Sequence, residues 1–232
     1  MLPYDTAKEI FVRAFPSQIF RQQASSDWQG EFPLPHPVAE FYAELGPSDA
    51  WIQAYGNPYF LPCLSRLWNY QAGYRYNPDT HEPLSGWDDD WLAIADQGYA
   101  VFIFSRASAV ILHAYHGGPW RPEVVFRELP EMVTTFAILG DIVESAGQTL
   151  TDDTSIILPR YREEAHRRIG KHLQSTARAD ALCGALRIGP AFGKRAFPIR
   201  LVHCYLLRIC NERQWSSRSP ARRQSSGKRT RI

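Results

Sequence analysis

Three apolar runs separated by short polar breaks lie in the middle of the chain. Trp91–Ala95, Tyr99–Phe104 and Ala109–Tyr115 have the length of strands and are rich in β-branched and aromatic residues. The breaks, Asp96–Gly98 and Ser105–Ser108, contain three and four residues. Such short breaks suit antiparallel hairpins, whereas a parallel crossover needs about a dozen residues. The pattern therefore predicts a three-stranded antiparallel meander.

The second run is apolar at both sets of alternating positions. One side of this strand would carry Tyr99, Val101 and Ile103, and the other side would carry Ala100, Phe102 and Phe104. A strand with one face in solvent alternates apolar and polar residues instead. We therefore predict that the second run is a central strand covered on both faces.

Apolar residues at helical spacing flank the meander. They predict helices over residues 4–15, 38–45, 130–146 and 160–179. Shorter strands are predicted at Trp51–Tyr55 and Tyr59–Leu61, and an edge strand at Glu123–Arg127. These elements give an α+β fold class, with a mostly antiparallel sheet flanked by helices.

Charge divides the 232 residues into two parts. Residues 187–232 hold twelve of the 26 basic residues and one of the 24 acidic ones, which leaves 14 basic and 23 acidic residues in 1–186, a net charge of −9. We predict one domain over 1–186, with its core at about 32–145 and a helical extension over 156–186. The tail, 187–232, is basic and becomes Ser/Arg-rich, so we expect it to be disordered.

The basic tail has three interpretations. It binds nucleic acid or an anionic surface, it results from an accident of the reading frame, or it is inert. Four cysteines without a zinc-ligand pattern indicate reduced thiols rather than a disulfide framework. The chain has neither a signal-peptide pattern at its start nor an apolar run long enough to cross a membrane. We therefore expect a cytoplasmic protein.

The densest acidic cluster is Asp88, Asp89 and Asp90, which is bracketed by Trp87 and Trp91. A solvated loop before a strand is the simplest interpretation, and a cation site is a second one. The third is a negative patch for a basic protein partner, with tryptophan contributing to binding. We name Trp87, Asp88, Asp89 and Asp90 as the candidate partner-binding residues.

No residue pattern predicts catalysis. His113 and His116 would point to opposite faces of a strand, which disfavours a shared metal, and His113 is expected to be satisfied or half-exposed. Cys63 lies between Pro62 and Leu64, where an apolar setting would not activate a thiol. Nucleophile elbows and phosphate-binding loops are absent from the sequence. We therefore predict a protein that is not an enzyme, with no catalytic residues, no cofactor and no metal.

The order of these segments resembles the SMI1/KNR4 (SUKH) superfamily. The resemblance rests on the helix Pro37–Gly46, on Asp90–Asp96 leading into Tyr99–Phe104, on Ala109–Tyr115, and on the Phe-centred segment Thr134–Leu139. It covers 32–145. The segment that carries a Gly-Asp step in many members reads Asp96-Gln97-Gly98 in this chain.

The resemblance implies a function as well as a fold. Bacterial members of this superfamily look like immunity proteins that bind and neutralise polymorphic toxins, often nucleases, and the family has no shared catalytic residues. An acidic body fits a basic toxin, because complementary charge speeds association. The expected function is thus non-catalytic binding of a basic protein toxin, with no membrane contact. The alternative is association with nucleic acid through the tail. The oligomeric state stays open.

Overall fold

The computed structural model describes residues 3–18, 20–98, 100–115 and 119–188. Its α-helices are α1 (Asp5–Ala14), α2 (His36–Glu44), α3 (Leu64–Leu67), α4 (Leu129–Ala146), α5 (Pro159–Leu173) and α6 (Thr176–Ala185). Its strands are β1 (Ala50–Ile52), β2 (Tyr59–Leu61), β3 (Trp91–Asp96), β4 (Ala100–Ser105), β5 (Ile111–Tyr115) and β6 (Glu123–Phe126).

The strands form one antiparallel sheet in the order β1-β2-β3-β4-β5-β6, so each strand pairs with its neighbours along the chain. The α+β class and the meander of β3, β4 and β5 are confirmed. Every residue of β4 is buried. The prediction of a central strand covered on both faces is confirmed as well.

Helix α4 covers one face of the sheet. Its Phe136 ring stacks on Tyr59 with the centroids 3.8 Å apart and meets Phe102 edge-on at 4.9 Å. The apolar spacing predicts a stripe along this helix, but burial extends almost all around it, from Leu129 through Ile142 with few breaks. The burial is wider because α1, α2 and α5 also pack against α4.

Two buried carboxylates on α4 attach the neighbouring helices. Asp141 accepts hydrogen bonds from Arg13 of α1 at 2.8 Å and from Arg168 of α5 at 2.7 Å. Glu131 pairs with Arg178 of α6. Burying an ionised carboxylate is costly unless cations and donors satisfy it, so these pairs fix which arginines pack against α4.

The predicted helix over 160–179 is wrong, because the structure has two helices there. Gln174 adopts a left-handed conformation with φ of 50° and ends α5. The side chain of Ser175 then accepts a hydrogen bond from the backbone N–H of Arg178 and caps α6. Serine is a favoured N-cap residue because its oxygen satisfies a free backbone donor.

The described chain ends in the core, since Ile188 is 3 % exposed. The predicted disordered tail is 187–232, and its second residue, Ile188, packs in the core instead. The rest of that tail, 189–232, lies outside the described residues. None of the described helices is both long and apolar enough to span a membrane.

Candidate partner-binding site

The acidic cluster forms a turn immediately before β3, and we call Asp88–Asp90 the acidic turn. The Asp88 carboxylate accepts a hydrogen bond from the backbone N–H of Asp90 at 2.8 Å. The Asp88 carbonyl accepts one from the N–H of Trp91 at 3.0 Å. Aspartate favours such turns because its side chain can bond to the backbone two residues on.

The three carboxylates of the acidic turn have different surroundings. The side chain of Asp89 is 96 % exposed and pairs with Arg75 at 2.9 Å. Asp88 is also exposed. Asp90 is half-buried and accepts a hydrogen bond from the Ser105 hydroxyl at 2.6 Å. Two carboxylates of the turn therefore face solvent, while the third attaches the turn to β4.

Two arginines form hydrogen bonds with the backbone of the acidic turn. The Asp89 carbonyl accepts hydrogen bonds from Arg75 Nη1 at 3.1 Å and from Arg106 Nη2. The backbone N–H of Arg106 donates to the Asp90 carbonyl at 3.1 Å. Charge-assisted bonds of this kind are stronger than neutral ones. The backbone that carries the exposed carboxylates is thus held by hydrogen bonds within the protein.

Trp87, one of the predicted partner-binding residues, lies in the core. It is 9 % exposed and meets the rings of Trp91 and Trp120 edge-on at 5.5 and 5.2 Å. Its indole N–H donates to the Trp91 carbonyl at 3.3 Å. In this position Trp87 packs against Trp91, so the residues on both sides of the acidic turn are in contact.

Along the edge of β3 that faces β2, the Gln71 side chain forms backbone hydrogen bonds that a neighbouring strand would otherwise form. Strand β2 meets β3 at the single pair Phe60 and Asp96. Beyond it, the buried Gln71 amide accepts from the Ala93 N–H at 2.9 Å and donates to the Ala93 carbonyl at 2.8 Å. These bonds satisfy the backbone beside an irregularity in the pairing of β3 with β4. They also anchor the strand that begins at the acidic turn.

Sequence reasoning missed Arg75 and Arg106 as parts of this site. Both are distant from the acidic turn along the chain, and both reach it through long side chains. Only the extended appearance of the segment around Tyr74 and Arg75, next to a loop, was a signal that Arg75 belongs to the same region.

The other candidate groups are dispersed. His113 is 7 % exposed, so the prediction of a satisfied or half-exposed side chain is wrong, and its Nε2 atom has no partner among the described residues. His116 lies outside them. The Cys63 thiol lies 3.8 Å from the Asp49 carboxylate and 3.4 Å from the Ser65 hydroxyl, so its surroundings are polar rather than apolar. Across 3–18, 20–98, 100–115 and 119–188, His, Cys, Asp and Glu form no metal-binding group of three.

An apolar groove of about 610 Å³ runs beside α1. It is lined chiefly by Phe11, Val12, Phe15, Phe20 and Leu45. Its acidic residue, Glu44, is paired with Lys8 at 2.7 Å. The groove therefore offers mainly apolar contact, and its one carboxylate is already in an ion pair.

We expect His113 to make the protein less stable in acid. Burial, and then the charge of Arg187, lower its pKa from 6.5 to about 4. Between these values the unfolded chain takes up a proton that the folded chain does not, so the free energy of unfolding falls as the pH falls. The loss should total about 3 kcal/mol, at 1.36 kcal/mol per pKa unit.

The measurement is urea unfolding of the wild type and His113→Phe at pH 7.5 and 4.5. The variant should lose less stability than the wild type by about 2–3 kcal/mol over this range. Replacement of the exposed His36 by Phe is the control and should leave the difference unchanged. Equal losses of unfolding free energy in the wild type and His113→Phe would show that His113 does not cause the loss of stability in acid.

No protein-family model matches the chain, and neither the curated proteins nor the solved structures include a significant match. The assignment of a function therefore rests on the site and on the sequence.

Proposed function

We propose that this protein is a non-catalytic protein-binding domain, an immunity protein that neutralises a polymorphic, basic protein toxin in the bacterial cytoplasm. The resemblance of 32–145 to the SMI1/KNR4 (SUKH) superfamily supports this class of function. The acidic turn supplies the surface with which such a partner would pair.

The observation that carries the proposal is the exposure of Asp88 and Asp89 on a turn whose backbone is held by hydrogen bonds. Asp89 is 96 % exposed at its side chain, yet its carbonyl is held by Arg75 and Arg106. A binding group that is already ordered loses little conformational entropy when a partner arrives. The turn thus presents negative charge at a defined place.

The net charge of the body supports the same partner. Residues 1–186 hold 23 acidic and 14 basic residues. A field of this sign attracts a cationic protein and raises its association rate, most strongly at low ionic strength. Nuclease toxins fit this requirement because their nucleic-acid grooves are basic.

The test is protection of bacteria that express the toxin domains encoded next to this gene. The wild type should restore growth against one of them. Asp88→Asn with Asp89→Asn removes two charges but keeps an acceptor oxygen at each position, so the turn keeps its hydrogen bonds. We expect this double variant to associate about tenfold more slowly and to protect poorly.

Glu144→Gln with Glu163→Gln is the matched control, because both residues are exposed and lie on α4 and α5. This control removes the same net charge away from the turn and should protect like the wild type. If the wild type protects against none of the neighbouring toxins, the proposal fails.

Association with nucleic acid is the second candidate function, and the charge of the tail favours it. Twelve basic residues and one acidic residue lie in 187–232. If the tail binds phosphates, the full chain retards DNA or RNA, and replacing the arginines from 213 to 231 by glutamine reduces both the affinity and its salt dependence. Negligible retardation by both forms would exclude this function.

A further inference from the structure

A segment between α1 and α2 lies close to the acidic turn, and we call residues 24–35 the strap. Its Trp28 indole donates to the Phe32 carbonyl at 2.7 Å. Both rings then meet Trp68 edge-on, at 5.8 and 5.5 Å. All three rings are half-buried. They form an aromatic cluster that attaches the strap to the body.

The arginines that support the acidic turn also contact this cluster. The Arg106 guanidinium lies 4.1 Å from the centre of the Phe32 ring. Arg75 lies 5.6 Å from the same ring and 5.8 Å from Trp68. Cations over aromatic faces are attracted by the ring quadrupole. Arg75 and Arg106 therefore contact both the strap and the acidic turn, and the two segments form one continuous surface.

A third segment, residues 77–86, joins the same surface. The ring of Tyr76 lies 6.0 Å from Trp68 and 5.7 Å from His81. Its hydroxyl donates to the Trp68 carbonyl at 3.0 Å. Burial, and then the charge of the Glu31 carboxylate, raise the pKa of Tyr76.

The strap, the loop 77–86 and the acidic turn carry mostly negative charge. Their exposed acidic residues are Asp27 and Glu31 of the strap, Asp79 and Glu82 of the loop, and Asp88 and Asp89 of the turn. The cations in the centre, Arg75 and Arg106, already contact Asp89 and the rings. Aromatic and arginine residues at the centre with charged residues at the rim are typical of protein interfaces.

We propose that the strap, the loop 77–86 and the acidic turn form one docking surface for a basic polypeptide. The partner places lysine or arginine side chains among the rim carboxylates and packs an apolar side chain against Trp28, Phe32 and Trp68. The proposal rests on the proposed function, because the partner is the toxin. It adds that the strap contributes to the affinity.

The test measures binding of the full chain to purified, catalytically inactivated toxin domains encoded next to the gene, by titration calorimetry. Asp27→Lys with Glu31→Lys reverses two exposed strap charges without changing the turn. We expect its Kd to be about tenfold higher or more. Glu144→Lys with Glu163→Lys reverses two charges on α4 and α5 and should change the Kd less than about twofold.

The outcomes separate the two proposals. If Asp88→Asn with Asp89→Asn weakens binding but the strap variant binds like the wild type, the docking surface is wrong and the proposed function stands. If no toxin domain binds the wild type, both are overturned. Thermal unfolding checks that each variant is folded. Glu31→Gln removes a charge without reversing it, and it should weaken binding by a smaller factor than Asp27→Lys with Glu31→Lys.

Discussion

Replacing Phe136 with alanine is expected to lower the free energy of unfolding by about 3–5 kcal/mol. The side chain is 0 % exposed and lies at the centre of the interface between α4 and the sheet. It stacks on Tyr59 at 3.8 Å and contacts Phe102 and Phe126 edge-on at 4.9 and 6.0 Å. Truncation removes these contacts and leaves a cavity that the surrounding rings cannot fill.

Urea unfolding followed by circular dichroism measures the effect. Phe136→Leu is the control, because it retains most of the buried apolar volume and should cost clearly less than the alanine variant. A loss below about 1 kcal/mol for Phe136→Ala would show that α4 is not packed on the sheet as described, since that is the cost of an ordinary substitution.

Gln71→Met is expected to destabilise the protein by about 3 kcal/mol, because each unsatisfied buried polar group costs about 1–3 kcal/mol. Gln71 is 0 % exposed and its amide bonds to the N–H and carbonyl of Ala93, at 2.9 and 2.8 Å, and to the Leu67 carbonyl at 2.8 Å. Methionine has a similar shape and none of these donors or acceptors. The backbone of β3 would lose its partners at an edge that β2 does not cover.

The same unfolding measurement applies, with Gln148→Met as the control at an exposed position. The control should lie within about 0.5 kcal/mol of the wild type, as surface substitutions usually do. A Gln71→Met variant as stable as the wild type would mean that water or a shifted strand satisfies Ala93, and that the edge is not held by the glutamine side chain.

The strands could be predicted from the sequence because their signals are local. The apolar runs at Trp91, Tyr99 and Ala109 are separated by gaps that allow little besides hairpins. Two aspects of the helices could not be predicted. Burial around α4 depends on which other helices surround it, and the end of α5 depends on the left-handed conformation of Gln174.

The candidate site was predictable only in part, for a similar reason. Three consecutive aspartates identify the acidic turn, but they do not show which carboxylates face solvent. That depends on Arg75, Arg106 and Ser105, whose contacts with the turn are set by the fold. The position of Trp87 could not be predicted either, because a tryptophan next to acidic residues in the sequence can be buried or exposed. In this structure it is buried.

Hydrogen–deuterium exchange of the full chain, alone and with the proposed partner, an inactivated toxin domain encoded next to the gene, locates the surface that binds. We expect slower exchange of the amides in 77–90 and in 24–35 when the toxin domain is added, with little change in α5 and α6. Slower exchange confined to α1, α5 or α6, with the acidic turn unchanged, would contradict the proposed docking surface.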